Sequence, residues 1–149
     1  MGMYPTLGIS ATGMAAQRLR MDVVAGNLAN ADSTIGVGEA YRRRMVSLAE
    51  APSGPEFRLA SPEGVTPAAG EGENHGVQVT GIVEDQSALR REYEPGHPLA
   101  DQDGYVTKPN VDPVTEMVDM VAASRSYQAN VTAFEATKSM ARGALRLLG

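Results

Sequence analysis

Residues 109–149 read PNVDPVTEMVDMVAASRSYQANVTAFEATKSMARGALRLLG, and after the opening dipeptide's own proline they contain only Pro113. Asp112 is placed to cap a helix whose first residue is Pro113, where the missing N–H costs nothing. Glu116 and Asp119 lie near the start of this segment, and Lys138, Arg142 and Arg146 near its end, an order that complements the helix dipole. Met120, Tyr127, Phe134, Ala141 and Leu148 recur every seven residues, with Val131 and Leu145 beside them. A second stripe, Val118, Ala122, Ala129, Ala133, Ala136, Met140 and Leu147, follows another face. A helix from Pro113 to Leu148 would be about 54 Å long. Globular helices average only ~11–12 residues. Two apolar faces on so long a helix require two or more neighbours, and this chain cannot supply them all.

The other end of the chain offers one partner. Leu7, Met14, Met21 and Leu28 repeat every seven residues within TLGISATGMAAQRLRMDVVAGNLANADST. Gly13 and Gly26 each weaken a helix by about 1 kcal/mol relative to alanine. Asn30, Asp32 and Ser33 supply turn chemistry where the pattern stops.

Eight of the nine prolines fall between Pro52 and Pro113, so the middle of the chain cannot be a long helix. YRRRMVSLAE and GVQVTGIVED read as strands, with Val77, Val79 and Val83 on one alternating face. LRREYEPGHPLAD and DGYVTKP read as shorter strands or turns. Between the first two lies a stretch in which nine of 26 residues are Gly or Pro, expected to be a long surface loop. The expected organisation is an N-terminal helix in residues 1–34, a β-rich middle in 35–109 with a flexible loop at 51–75, and a C-terminal helix in 110–149. The fold class is thus mainly α with a small β insert, the two terminal helices pairing in a coiled-coil-like manner.

Composition narrows the function. The chain has 149 residues, a formal net charge of −5 and no cysteine. An acidic surface argues against a nucleic-acid ligand, and the cysteine count rules out disulfides and thiolate metal sites. No apolar run approaches the ~18–20 residues of a membrane span. MGMYPTLGISATGM lacks the basic start of a cleaved signal peptide.

Catalytic patterns such as GxSxG, HExxH and the Walker A loop are missing from the sequence. His75 and His97 are the only imidazoles. A metal site would need Asp101 or Asp103 to join His97, but ADQDG lacks the third acid and the terminal Glu of a calcium loop. A solvated turn at EPGHP is expected instead. No enzyme activity, cofactor, metal or small-molecule substrate is expected. Arg42, Arg43 and Arg44 form the one basic cluster. On a strand, Arg42 and Arg44 would share a face, serving either a solvated edge or an interprotein salt bridge that needs acidic neighbours.

NLANADST at residues 27–34 resembles the motif near the N-terminus of bacterial flagellar axial proteins. YRRRMV fits the strand that follows it. The run from Tyr93 to Met140, YEPGHPLADQDGYVTKPNVDPVTEMVDMVAASRSYQANVTAFEATKSM, resembles one branch of that family, the proximal rod proteins of the basal body. The resemblance covers about the whole chain apart from the Gly/Pro-rich stretch. It implies a non-enzymatic subunit of the periplasm-crossing rod that leaves the cytoplasm unfolded through the flagellar type III export apparatus without a cleaved signal. Its terminal helices would pack with those of neighbouring rod proteins around an export channel. Another rod or hook component, or a cytoplasmic coiled-coil adaptor, is the alternative. The motif positions carried over are Asn27, Asn30, Asp32, Arg42, Arg44, Tyr127, Gln128 and Asn130. Leu7, Met14, Met21, Leu28, Met120, Tyr127, Val131, Phe134, Leu145 and Leu148 are expected to pack against other helices or subunits.

Overall fold

The computed structural model describes residues 3–34, 40–51 and 76–148. Most of the expected 51–75 loop therefore lies outside the described residues, as do residues 35–39. The element order is α1 (Met3–Ala29), β1 (Arg44–Glu50), β2 (Val77–Glu84), β3 (Arg90–Tyr93), β4 (Tyr105–Lys108) and α2 (Pro113–Leu148). The protein is mainly helical with two small antiparallel sheets, β1–β2 and β3–β4.

α2 begins as its sequence dictates. The Asp112 carboxylate accepts the Val114 N–H at 3.2 Å and the Thr115 hydroxyl at 2.6 Å, and its carbonyl takes the Glu116 N–H. These bonds, the Thr115 hydroxyl foremost, hold the Asp112 carboxyl below its ordinary pKa. α1 stops at Asn30, whose side-chain amide donates to the Gly26 carbonyl at 2.8 Å, alongside its own backbone N–H at 3.2 Å. The Ser33 hydroxyl closes the turn on the Asn30 carbonyl.

The helices pack antiparallel along their lengths. Asn27, near the end of α1, touches Glu116 near the start of α2, while Gly13 faces Asn130. Fourteen residues separate the two contacts on each helix, so they advance in step. A Cβ at position 13 would lie 3.0 Å from the Asn130 amide nitrogen, so the glycine that weakens α1 also lets α2 approach. Continued in the same register, α1 runs out beside Met140, and roughly the last eight residues of α2 project beyond it. On α2 the covered positions alternate in spacings of four and three: Met120, Tyr127 and Phe134 interleave with Glu116, Ala123 and Asn130. On α1 the most deeply covered residues are instead Ala16, Val24 and Asn27. Leu7, Met14 and Met21 are half-buried, and Leu28 is exposed. A straight helix drifts about 20° per heptad from a strict seven-residue repeat, and over a helix of 27 residues the contact line leaves that seam.

The β1–β2 hairpin lies against α1. The Val77 N–H donates to the Thr12 hydroxyl oxygen at 3.2 Å, and a Cβ on Gly76 would come within 2.5 Å of that oxygen. The expected alternation in β2 is broken by a bulge. Ser47 pairs with Gly81 but Leu48 with Val79, which leaves Thr80 over, its hydroxyl donating to the Ser47 carbonyl at 3.1 Å. The extra residue exchanges the faces beyond it, so Val79 is half-buried while Val83 is exposed; Val77, at the start of the strand, is also exposed. The strand expected from Tyr41 also starts later, at Arg44, because the backbone of Arg43 is already engaged by Asn110.

β3 and β4 join through residues 94–104, organised by Asp101. Its carboxylate accepts the N–H groups of Tyr105 and Asp103 at 2.8 and 3.0 Å, and Arg91 pairs with it at 2.7 Å. These bonds, the Tyr105 N–H above all, lower its pKa. Gly104 has φ +81°, and a side chain there would strike the Tyr93 ring. His97 uses Nδ1 to accept the Leu99 N–H at 3.1 Å, as a turn histidine would.

Candidate assembly site

The deepest polar cluster joins three segments that are distant in sequence. Asn27 is 1% exposed and its amide is fully engaged. Its Oδ1 accepts the Arg44 N–H and the Tyr41 hydroxyl, both at 2.9 Å. Its Nδ2 donates to the Arg44 carbonyl at 2.8 Å and to Glu116 Oε2 at 2.9 Å. The amide thus pairs with the backbone of β1's first residue as a neighbouring strand would. Burial holds the Tyr41 phenol above its ordinary pKa and keeps it a donor.

Glu116 is equally buried, at 1%. Its other oxygen accepts Arg43 Nε at 2.6 Å, and Arg43 reaches on to Asp119 at 3.1 Å. A carboxylate at this depth is tolerated because both oxygens meet donors and a cation faces it. Asn110 completes the ring: its Oδ1 accepts the Arg43 N–H at 2.8 Å, and its Nδ2 donates to the Asp85 carbonyl and the Ser87 hydroxyl. The Asp85 N–H returns to the Arg43 carbonyl at 2.7 Å.

Of the expected motif positions, Asn27 and Asn30 are structural anchors, Asp32 is exposed, and Asn130 faces Gly13. Gln128 points to solvent. Arg42 donates to the Ser87 carbonyl at 3.3 Å, and Arg44 pairs with Glu84 at 3.4 Å while lying over the Tyr41 ring. The acidic neighbours of the basic cluster come from the chain itself, and Arg43, not its flanking arginines, takes the two on α2. Sequence reading missed this role for Arg43. It also took Glu116 only as complementing the helix dipole, although position 116 lies one heptad before Ala123 on the covered line.

Opposite the cluster, α2 presents an apolar face. Val114, Met117, Val118 and Val121 are each half or more exposed and, with Ala122 and Arg125, line an open groove of about 640 Å³. The surface continues past Ala129 and Ala133 to Met140; Leu145 lies on the line that faces α1 but beyond its end, and is 70% exposed there. Met120, Tyr127, Val131 and Phe134 are half-buried on the α1 side; the Leu148 side chain lies outside the described ones. Among the described residues no cluster of acids and histidines could hold a metal ion, and no helix is long and apolar enough to cross a membrane.

A helix pair pinned by a buried amide, with a second apolar face left open, is the layout of an assembling structural protein. Residues 7–36 match the family described as flagella basal body rod protein, and residues 102–147 match the C-terminal family of the flagellar basal body rod FlgEFG proteins. The first match contains Asn27 and the second Glu116, so the two meet in the polar cluster. Flagellar basal-body rod protein FlgC of Bacillus subtilis is 45% identical over 149 residues, covering 97% of each chain. FlgC of Borreliella burgdorferi is 39% identical over 99% of each chain. FlgC of Salmonella typhimurium is 42% identical, over 94% of this chain and 93% of its own. The chain belongs to the FlgC family of flagellar basal-body rod proteins, and membership makes it a structural component of that rod.

Proposed function

We propose that this chain is a non-enzymatic rod subunit that polymerises through its two terminal helices with other rod proteins, around a central channel in the periplasm. On this reading it travels unfolded through the flagellar type III export apparatus, without a cleaved signal. The zero cysteine count suits passage into an oxidising compartment. The single observation that carries the reading is the division of α2 into two faces. One is covered by α1, whereas Val114, Met117, Val118 and Val121 lie open along a neighbouring line. Apolar area of that extent, continuous along a helix, marks a binding surface.

The sequence singles out Phe134, but Phe134 is half-buried on the α1 side, so a charge there would damage the subunit as well as any contact. The cleaner probe is Val118→Asp/Val121→Asp, at positions 63% and 52% exposed. In cells lacking their own copy of the protein, this variant should be made and exported at normal levels yet give no rods in isolated basal bodies and no swimming. Glu135→Gln, on the exposed side near the same helix's middle, should swim normally. Normal motility of the double variant would overturn the assignment of this face.

A further inference from the structure

We infer that Asn27, Glu116 and Arg43 form a register key, selecting one antiparallel setting of α1 on α2 from several that the apolar surfaces would accept. The covered line of α2 repeats every seven residues, so a slide of one heptad, about 10.5 Å, replaces Met120 by Tyr127 and Tyr127 by Phe134. α1 answers with small side chains, Gly13, Ala16 and Val24, which discriminate poorly between such settings. The carboxylate does not repeat. Seven residues after Glu116 stands Ala123, which can accept nothing from Asn27 or Arg43. A slid pair would leave a buried amide and a guanidinium without acceptors. A buried polar residue that is not repeated one heptad along the seam fixes register in this way.

The key is rigid on the α1 side. Because Asn27 holds both the N–H and the carbonyl of Arg44, the adjacent Arg43 is placed at a fixed height along α1. Glu116 therefore reads α1 and β1 together. The consequence is a single phase between the outer face of α2 and the surfaces of α1 and the hairpin, which any repeating assembly of identical chains requires. The inference does not depend on the rod assignment.

The chain has no cysteine, so introduced pairs report contacts without interference. Gly13→Cys/Asn130→Cys reports the observed register. Gly13→Cys/Ala123→Cys and Gly13→Cys/Thr137→Cys report slides of one heptad either way, each carrying Asn130→Ala so that the new Cβ meets no amide. In the purified full chain under mild oxidation, the first pair should close roughly tenfold more readily than either other. In the Arg43→Met/Glu116→Leu background that preference should fall to about threefold or less, with helix content retained by circular dichroism. An undiminished preference in that folded background overturns the proposal, since apolar packing would then set the register. Slid pairs that close as fast as the first with the cluster intact also overturn it. Should the double background not fold, Glu116→Gln removes the charge facing Arg43 while keeping an acceptor for Asn27. It should give an intermediate loss of preference, and no loss there overturns the proposal as well.

Discussion

Asn27→Ala tests the polar cluster at its centre. The substitution deletes four hydrogen bonds at once, to the Arg44 N–H and carbonyl, the Tyr41 hydroxyl and Glu116. Each is worth about 1 kcal/mol net, and a buried partner left unsatisfied costs about 1–3 kcal/mol. The two side chains at the centre are each 1% exposed, so water cannot readily replace the lost amide. The expected loss is roughly 3–5 kcal/mol, out of the ~5–15 kcal/mol that a domain commonly has. In a chain of 149 residues this lowers Tm by about 10 °C. Urea unfolding followed at a helix-sensitive wavelength measures it, with the slope unchanged if only stability has moved. Asn30→Ala removes the cap bond to Gly26 and should cost about 1 kcal/mol. Asn27→Asp keeps the shape but sets a second carboxylate against Glu116. It should be at least as damaging at neutral pH, because two carboxylates then face each other at the buried centre. If Asn27→Ala lies within about 1 kcal/mol of the parent, the cluster is not an anchor and the reasoning fails.

Gly76→Ala should destabilise by about 1–3 kcal/mol, because its Cβ meets the Thr12 hydroxyl; in a Thr12→Ala background at least half of that cost should disappear, and an undiminished cost would show that the strain arises elsewhere. Asp112→Ala should lower the urea midpoint at pH 7. The folded pKa of Asp112 is depressed, so its contribution is present above the ordinary carboxylate range and lost as pH falls through the folded value. The deficit should therefore vanish in acid, and an equal deficit at pH 7 and in strong acid would contradict a role for the charge. In the isolated chain, hydrogen exchange should be slow in α2 from Glu116 to Asn130 and fast from Ala141 onward, where α1 no longer lies alongside; uniform protection would refute the overhang.

The helices, the cap at Asp112 and the turn at Asn30 were legible because each rests on local chemistry: periodicity, a carboxylate before a proline, an amide at a helix end. The covered face of α2 was legible too, since Met120, Tyr127 and Phe134 lie on one line. The matching line on α1 was not. Ala16 and Val24 carry too little apolar contrast to stand out beside Met14 and Met21, and the helix drifts off the heptad. The bulge at Thr80 left no trace beyond a glycine that also suits an ordinary strand. The cluster was hidden for a different reason. Asn27 and Glu116 are 89 residues apart, and nothing local marks either as buried. The readable signal was joint: an acid on the covered line of α2, three arginines elsewhere, and an amide within a helix where propensity disfavours one.

α2 inverts the usual arrangement at its N-terminal end, burying Glu116 against Asn27 while exposing Val114, Met117, Val118 and Val121. Polar contacts inside and apolar ones outside divide the work of the helix. The inner contacts are directional and close only in one geometry, so they give the subunit a defined shape with little apolar area. The outer ones are undirected and remain available. Completing the burial of four partly covered aliphatic side chains yields about 4–6 kcal/mol. Association alone costs about 4–15 kcal/mol in lost freedom of motion. The two figures are of the same size, so on the proposed reading a single such contact would be weak. Several faces engaged at once incur that cost only once for each subunit added. On the proposed reading, a rod built this way would grow where neighbours already present most of its contacts, at the end of the existing structure.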